Sequence, residues 1–418
     1  MQVRLARRPA LFVVAALATL AFAPSALAKT YVPNKMGDHV PEGHCTKHDC
    51  TLREAIIAAN THPGKDKIIL KSGKTYGRSS TAGTNEDNAA DGDLDVKDVG
   101  GATLTIRSTV KKKRAIVDAG QNERVFDVFT SAKLQGLVVR NGRDTVSGSG
   151  GGIRSSAPLT LDNAVVTGNV VVGGFSATGG GVAQTGTGPL VVSRSTISAN
   201  TVSLIGFPVP SSGGGISSAS VATISNSTIN GNTATGSFGG SGGGIGSSSG
   251  PLTMVNDTVE GNSAPMFNGG GVAVFSGTAS LNALTIARNS AGTGGGLGAL
   301  GGTTTVRNSL IALNTASGSN PDCTSGGGST LASAGHNLVG DNTGCTAFGM
   351  GPGDIVNAAA SPLDLGTLKN NGGPTKTDAL GKHSVAINNA GSDAPKRDQR
   401  GVKRHNPDIG AFERVKKH

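Results

Sequence analysis

Acidic residues crowd one short stretch of this 418-residue chain: Asp87, Asp91, Asp93 and Asp95, with Gly92 among them. Ca²⁺ takes several hard oxygen ligands, and closely spaced carboxylates around a glycine turn can wrap it. This is the chain's best metal candidate. No Glu stands at the twelfth position of a loop beginning at Asp87 or Asp91, so the EF-hand pattern is incomplete and a solvated acidic turn is the plainer reading. A second group follows, in which Lys133, Arg140, Arg143 and Arg154 lie near Asp118, Asp127 and Asp144. Ca²⁺-binding acids beside a Lys or Arg base would suit a lyase, whereas surface ion pairs give the same pattern for no chemical reason. A hydrolase needs paired carboxylates. Between Gly150 and Asn314 the acids are Asp162, Asp257 and Glu260, and only the last two are close together. All eight histidines lie outside that stretch, which leaves a Ser/His/Asp triad without support. No residue is therefore assigned a catalytic role.

Four cysteines remain to be placed: Cys45, Cys50, Cys323 and Cys345. They allow three pairings. The local one, Cys45–Cys50 with Cys323–Cys345, asks least of the chain, and zinc-like spacing is missing.

The elements that carry these residues are set by a repeat. GGG followed by an aliphatic residue recurs six times, ending at Ile153, Val182, Ile216, Ile245, Val272 and Leu297, at intervals of 29, 34, 29, 27 and 25 residues. A second string trails each one and closes on Asn169, Asn200, Asn232, Asn262, Asn289 and Asn314. Apolar residues alternate within each unit, as in Leu159-Thr-Leu161, so the units are short strands. Two or three such strands plus turns in about 25 residues make one coil of a solenoid. One coil cannot bury its own inner face, but a stack of coils can.

The expected fold is all-β: a single-stranded right-handed parallel β-helix with a short N-terminal capping helix. The asparagines are expected to form a structural ladder at the corners, where Asn tolerates the left-handed conformation and bonds its own turn. Longer repeats imply loops thrown out at 170–178 and 201–212, the second containing Phe207-Pro208-Val209-Pro210. Thr51 followed by Leu52-Arg53-Glu54 fits a capping box opening the helix. The chain divides into residues 1–28, a signal peptide; 29–75, the N-terminal cap; 76–318, the coils; and 319–418, further coils and a C-terminal region.

The first segment reads as an export address. Arg4, Arg7 and Arg8 precede an apolar run to Phe22, and Ala26-Leu27-Ala28 supplies the small residues of a cleavage site. Losing those three arginines takes the formal charge from +10 to +7. The mature chain is expected to be extracellular or on the cell surface, without a transmembrane anchor. A mild positive balance suits an envelope or extracellular polysaccharide. Basic runs without interleaved aromatics argue against nucleic acid. The absence of Trp and the presence of only two Tyr disfavour a lectin that stacks sugars on aromatic rings.

Cys50-Thr-Leu-Arg-Glu-Ala-Ile56 resembles the CSLREA motif at the start of many exported β-helix proteins, with Thr51 in place of its Ser. Asn371-Gly-Gly-Pro-Thr375, Asp398-Gln-Arg-Gly401 and Asp408-Ile-Gly-Ala-Phe-Glu413 resemble the choice-of-anchor Q domain, with Pro407 where that pattern usually has Cys. The repeats between are similar to those of polymorphic outer-membrane proteins. The resemblance implies export and a β-helix, and no established reaction. With no apolar tail before His418, secretion or noncovalent retention is expected rather than covalent anchoring. The function expected first is a secreted or cell-surface β-helix of adhesive or structural type. The competing class is a polysaccharide lyase or hydrolase acting on acidic polysaccharide.

Overall fold

A computed structural model of the chain describes residues 27–38, 45–77, 87–110, 113–206, 211–237, 239–358 and 360–415. Residues 1–26, which hold most of the expected signal peptide, and the Phe207–Pro210 stretch lie outside the described residues.

A representative coil has four strands, Ile153–Ser155, Leu159–Asp162, Val165–Thr167 and Val170–Gly173. Each pairs in parallel with its equivalent one coil on, so that Ile153 stands over Val182, Leu159 over Leu190, Val165 over Thr196 and Val170 over Thr201. Stacking produces four long parallel sheets of nine, eleven, eleven and seven strands, numbered 1 to 4 here in that chain order. The chain is thus a parallel β-solenoid. The six residues that follow the triple glycines line up in one row of sheet 1. Leu161, Val192, Ile224, Met254 and Leu281 form an inner row of sheet 2, and Val166, Ile197, Ile229, Val259 and Ile286 one of sheet 3. All of these are fully buried, at roughly 1.5–3 kcal/mol of hydrophobic stabilisation per side chain.

The asparagines explain the glycines. The backbone N–H and the Nδ2 of Asn200 both donate to Oδ1 of Asn232, at 3.0 and 2.9 Å, and Nδ2 also donates to the Val166 carbonyl. The same two donations link Asn169, Asn200, Asn232, Asn262, Asn289 and Asn314 in turn. The last one donates to Oδ1 of Asp322. A Cβ on Gly181 would lie 2.7 Å from the Gly215 carbonyl oxygen and 2.9 Å from Nδ2 of Asn200, so only glycine fits beside this ladder. The first glycine of the triplet, such as Gly179 at φ +61°, takes the left-handed corner.

The N-terminal end is closed by the helix Leu52–Thr61, opened by a complete Thr51/Glu54 capping box. Disulfides join Cys45 to Cys50 and Cys323 to Cys345. Past residue 318 the coils continue through Cys323–Ser325, Thr330–Ser333 and Leu338–Val339. The chain then turns back. Residues 360–415 lie as a strap along the outer face of sheet 3, where Leu363, Leu380, Ala386, Ile409 and Phe412 pack on Leu310, Ala312 and Leu338. Among the described residues no helix is long and apolar enough to cross a membrane.

Candidate functional site

Arg53 organises the acidic stretch. Its guanidinium donates to the backbone carbonyls of Ala89, Asp91, Gly92 and Asp93 at 2.8–3.1 Å and pairs with Asp38 at 2.8 Å. The cation this turn wraps is therefore an arginine. Of the four candidate metal ligands, Asp93 and Asp95 are brought together with Asp127, one carboxylate oxygen of each lying within 4.8 Å of the others. Asp87 and Asp91 are not in that group. The meeting arises from register, since Asp95 stands over Asp127 in sheet 1 with Arg154 one coil further on. Nη1 of Arg124 donates to Oδ2 of both Asp93 (2.7 Å) and Asp127 (3.2 Å), and its Nη2 lies 3.2 Å from Asp144. Positive charge is thus already seated among these carboxylates.

Two of the four basic residues suggested for a lyase are also engaged. Arg140 pairs with Asp118 at 2.7 Å, and Arg154 with Asp127. Burial alone would lower the Arg154 pKa, but the Asp127 carboxylate, backed by Asp93 and Asp144, raises it overall. A guanidinium so held is a poor proton acceptor. Asp257 is fully buried, and burial pushes its pKa well up. It accepts the Ser227 and Val255 amides at a corner, so it is a structural acceptor rather than half of a carboxylate pair with Glu260.

A different site emerges where sheet 2 turns into sheet 3. A groove of about 620 Å³ is lined by Arg107, Ser108, Arg114, Gln135, Gly136, Asp162, Asn163, Arg194, Gly373 and Pro374. Arg107, Gln135, Asp162 and Ser193 are successive members of one row in sheet 2. The next row, on the corner itself, holds Gly136, Asn163 and Arg194, all left-handed at φ +66°, +51° and +50°. Arg194 pairs with Asp162, which also accepts from Gln135 at 2.9 Å. Arg114 is fixed by Asn163, donating from Nε to its carbonyl (2.8 Å) and from Nη2 to its Oδ1 (2.7 Å). Among the described residues neither Arg107 nor Arg114 has a carboxylate partner. Burial lowers the pKa of Arg114, the cost of holding an uncompensated charge partly out of water. Three guanidinia against one carboxylate give the groove a net positive lining, the charge that pairs with an anion's oxygens. Sequence reasoning missed it. The arginines are 107, 114 and 194 in the chain, and only a known coil length would have put them on one corner.

The strap supplies the far wall. Gln399, fully buried, donates to Thr228 Oγ1 (3.0 Å) and Thr375 Oγ1 (2.9 Å), and accepts from Thr258 Oγ1 (2.7 Å). Arg404 donates to the carbonyls of Asp408 and Gly410 at 2.7 Å and pairs with Glu413 at 3.3 Å. Asp398 accepts from the amides of Arg400, Val402 and Glu413. The Asp398–Gly401 and Asp408–Glu413 motifs are thereby a latch that closes the strap on itself and on sheet 3.

No family model and no curated protein matches the chain. Among solved structures it is similar to one described as the crystal structure of pectate lyase Pel9A, with a TM-score of 0.46 and 18% identity over 94% of this chain and 98% of that one. The fold assignment rests on the strand pairing described above.

Proposed function

We propose that this is a secreted or cell-surface β-helix of adhesive or structural type that holds an acidic extracellular polysaccharide in the arginine groove without turning it over. The observation that supports the reading is the pair Arg107 and Arg114, which line an open groove and, among the described residues, have no carboxylate partner. Carboxylates of a uronic-acid polymer would complete both. A binding rather than a catalytic role is read because Arg140 and Arg154, two of the four basic residues suggested for a lyase, are engaged by aspartates.

Isothermal titration with polygalacturonate and with neutral dextran tests the proposal. Polygalacturonate should bind and dextran should not. Each of Arg107→Ala and Arg114→Ala should weaken binding about tenfold or more, the worth of a hydrogen bond to a charged group. Equal binding of dextran would remove the proposal. Unsaturated product appearing from polygalacturonate would replace it with the lyase reading.

A further inference from the structure

Resting on the reading of the groove as a polysaccharide site, we infer that the site continues beyond the groove onto the outer face of sheet 2, where Lys67 and Lys133 hold further carboxylates of the polymer. The placement follows from register. Lys67, Thr105, Lys133 and Thr160 stand one over another in sheet 2, and Ile69, Arg107, Gln135 and Asp162 form the parallel row two residues on. The residues between the rows, Ile68, Ile106, Leu134 and Leu161, are fully buried, so both rows face outward. Arg107 therefore sits between the two lysines, one coil from each. A strand spacing of ~4.8 Å and a two-residue advance of ~6.6 Å put each lysine's backbone roughly 8 Å from that of Arg107.

Arg107 is thus shared, lining the groove and standing at the centre of a basic patch on the sheet beside it. Lys67 is exposed and Lys133 half-buried. Among the described residues neither lysine has a carboxylate partner, and the first acid on either row is Asp162, which Arg194 and Gln135 already engage. The charge is also local to the groove. From Val191 and Ser193 to Ser280 and Asn282 the same two rows carry no ionisable side chain. Lysines serving solubility alone would have no reason to stand only in the coils around Arg107. An ammonium on a flexible four-carbon stem, with three donors, suits carboxylates spaced along a chain. A uronic-acid polymer leaving the groove past Arg107 meets a cation on either side, whereas one leaving over the later coils of sheet 2 meets none.

The test titrates polygalacturonate into the wild-type protein, into Lys67→Gln/Lys133→Gln, and into Lys382→Gln/Lys396→Gln, which removes the same charge from two exposed lysines of the strap. The sheet 2 pair should weaken binding about fivefold or more, the summed worth of two exposed charge pairs, and the strap pair less than about twofold. Equal losses in the two variants would show attraction to net charge alone and overturn this inference. Wild-type affinity in the sheet 2 variant would overturn it as well. Either result leaves intact the groove reading, which stands on Arg107 and Arg114. No binding by the wild-type protein would take both down.

Discussion

The corner between sheets 2 and 3 exists twice in this molecule, once bare and once covered. Its left-handed backbone is the same throughout, from Gly136, Asn163 and Arg194 to Asn226, Asn256 and Asn308. In the later coils Asn226, Asn256 and Asn308 bond the strap, and Thr228, Thr258 and Thr285 on the adjoining face of sheet 3 do likewise. In the earlier coils the corner is lined by arginines and faces a groove. A solenoid thus offers one repeated platform, and side chains decide whether a stretch of it is closed by the chain's own end or left for a ligand.

That contrast can be broken most severely at Arg404. Arg404→Ala would leave Glu413 and the carbonyls of Asp408 and Gly410 without their donor, at roughly 3–5 kcal/mol. Chemical denaturation should show that loss, and limited proteolysis should cut the strap while the coils stay intact. Unchanged resistance would mean that the strap is held chiefly by other contacts.

Paired substitutions on the two halves sharpen the comparison. Asn256→Ala removes the bonds to Arg397 and Arg404 and should cost about 1–3 kcal/mol. Asn163→Ala, on the bare half, should cost less than about 1 kcal/mol while weakening polygalacturonate binding by freeing Arg114. Alanine is admissible in this backbone, since Ala199 and Ala283 adopt it at φ +52° and +57°. Equal losses at both positions would erase the distinction.

A smaller effect is expected from pH. Asp378 of the strap is buried against Arg288 at 3.0 Å, and its Oδ1 has no hydrogen-bond partner. Burial first, then the neighbouring Glu260, push its pKa up to about 7 against the pull of Arg288. The folded chain holds this proton more tightly than the unfolded one, so the stability it contributes is full below about pH 4 and is lost as pH rises through about 7. Thermal melting should show a decline of a few degrees across that window. Asp378→Asn should flatten it, and a parallel slope in that variant would assign the effect elsewhere. The smallest effect is calcium. With Arg53 and Arg124 seated among the acids, millimolar Ca²⁺ should leave the melting temperature where it is, and a clear rise would restore the metal site.

Much of this architecture was legible in the chain. The triple glycines and the trailing asparagines gave the coil, because both are local demands of one corner geometry. Thr51 and Glu54 gave the cap in the same way, and the short intervals between cysteines gave the disulfides. What stayed hidden depends on register. Asp127 joins Asp93 and Asp95 only because it falls one coil below Asp95. Gln399 meets Thr228 across 171 residues. The acidic turn looked like a cation loop and is one, but its cation comes from Arg53, 36–40 positions away.

The asparagine row has a sense as well as a place. Every amide in it points the same way, giving to the coil that follows and receiving from the one before, so the stack is a one-way file. A seventh asparagine at its head would have wanted an eighth. Asp322 ends the file instead, because its second oxygen is met by the amide of Asp341 within its own coil. The carboxylate acts as the file's terminator.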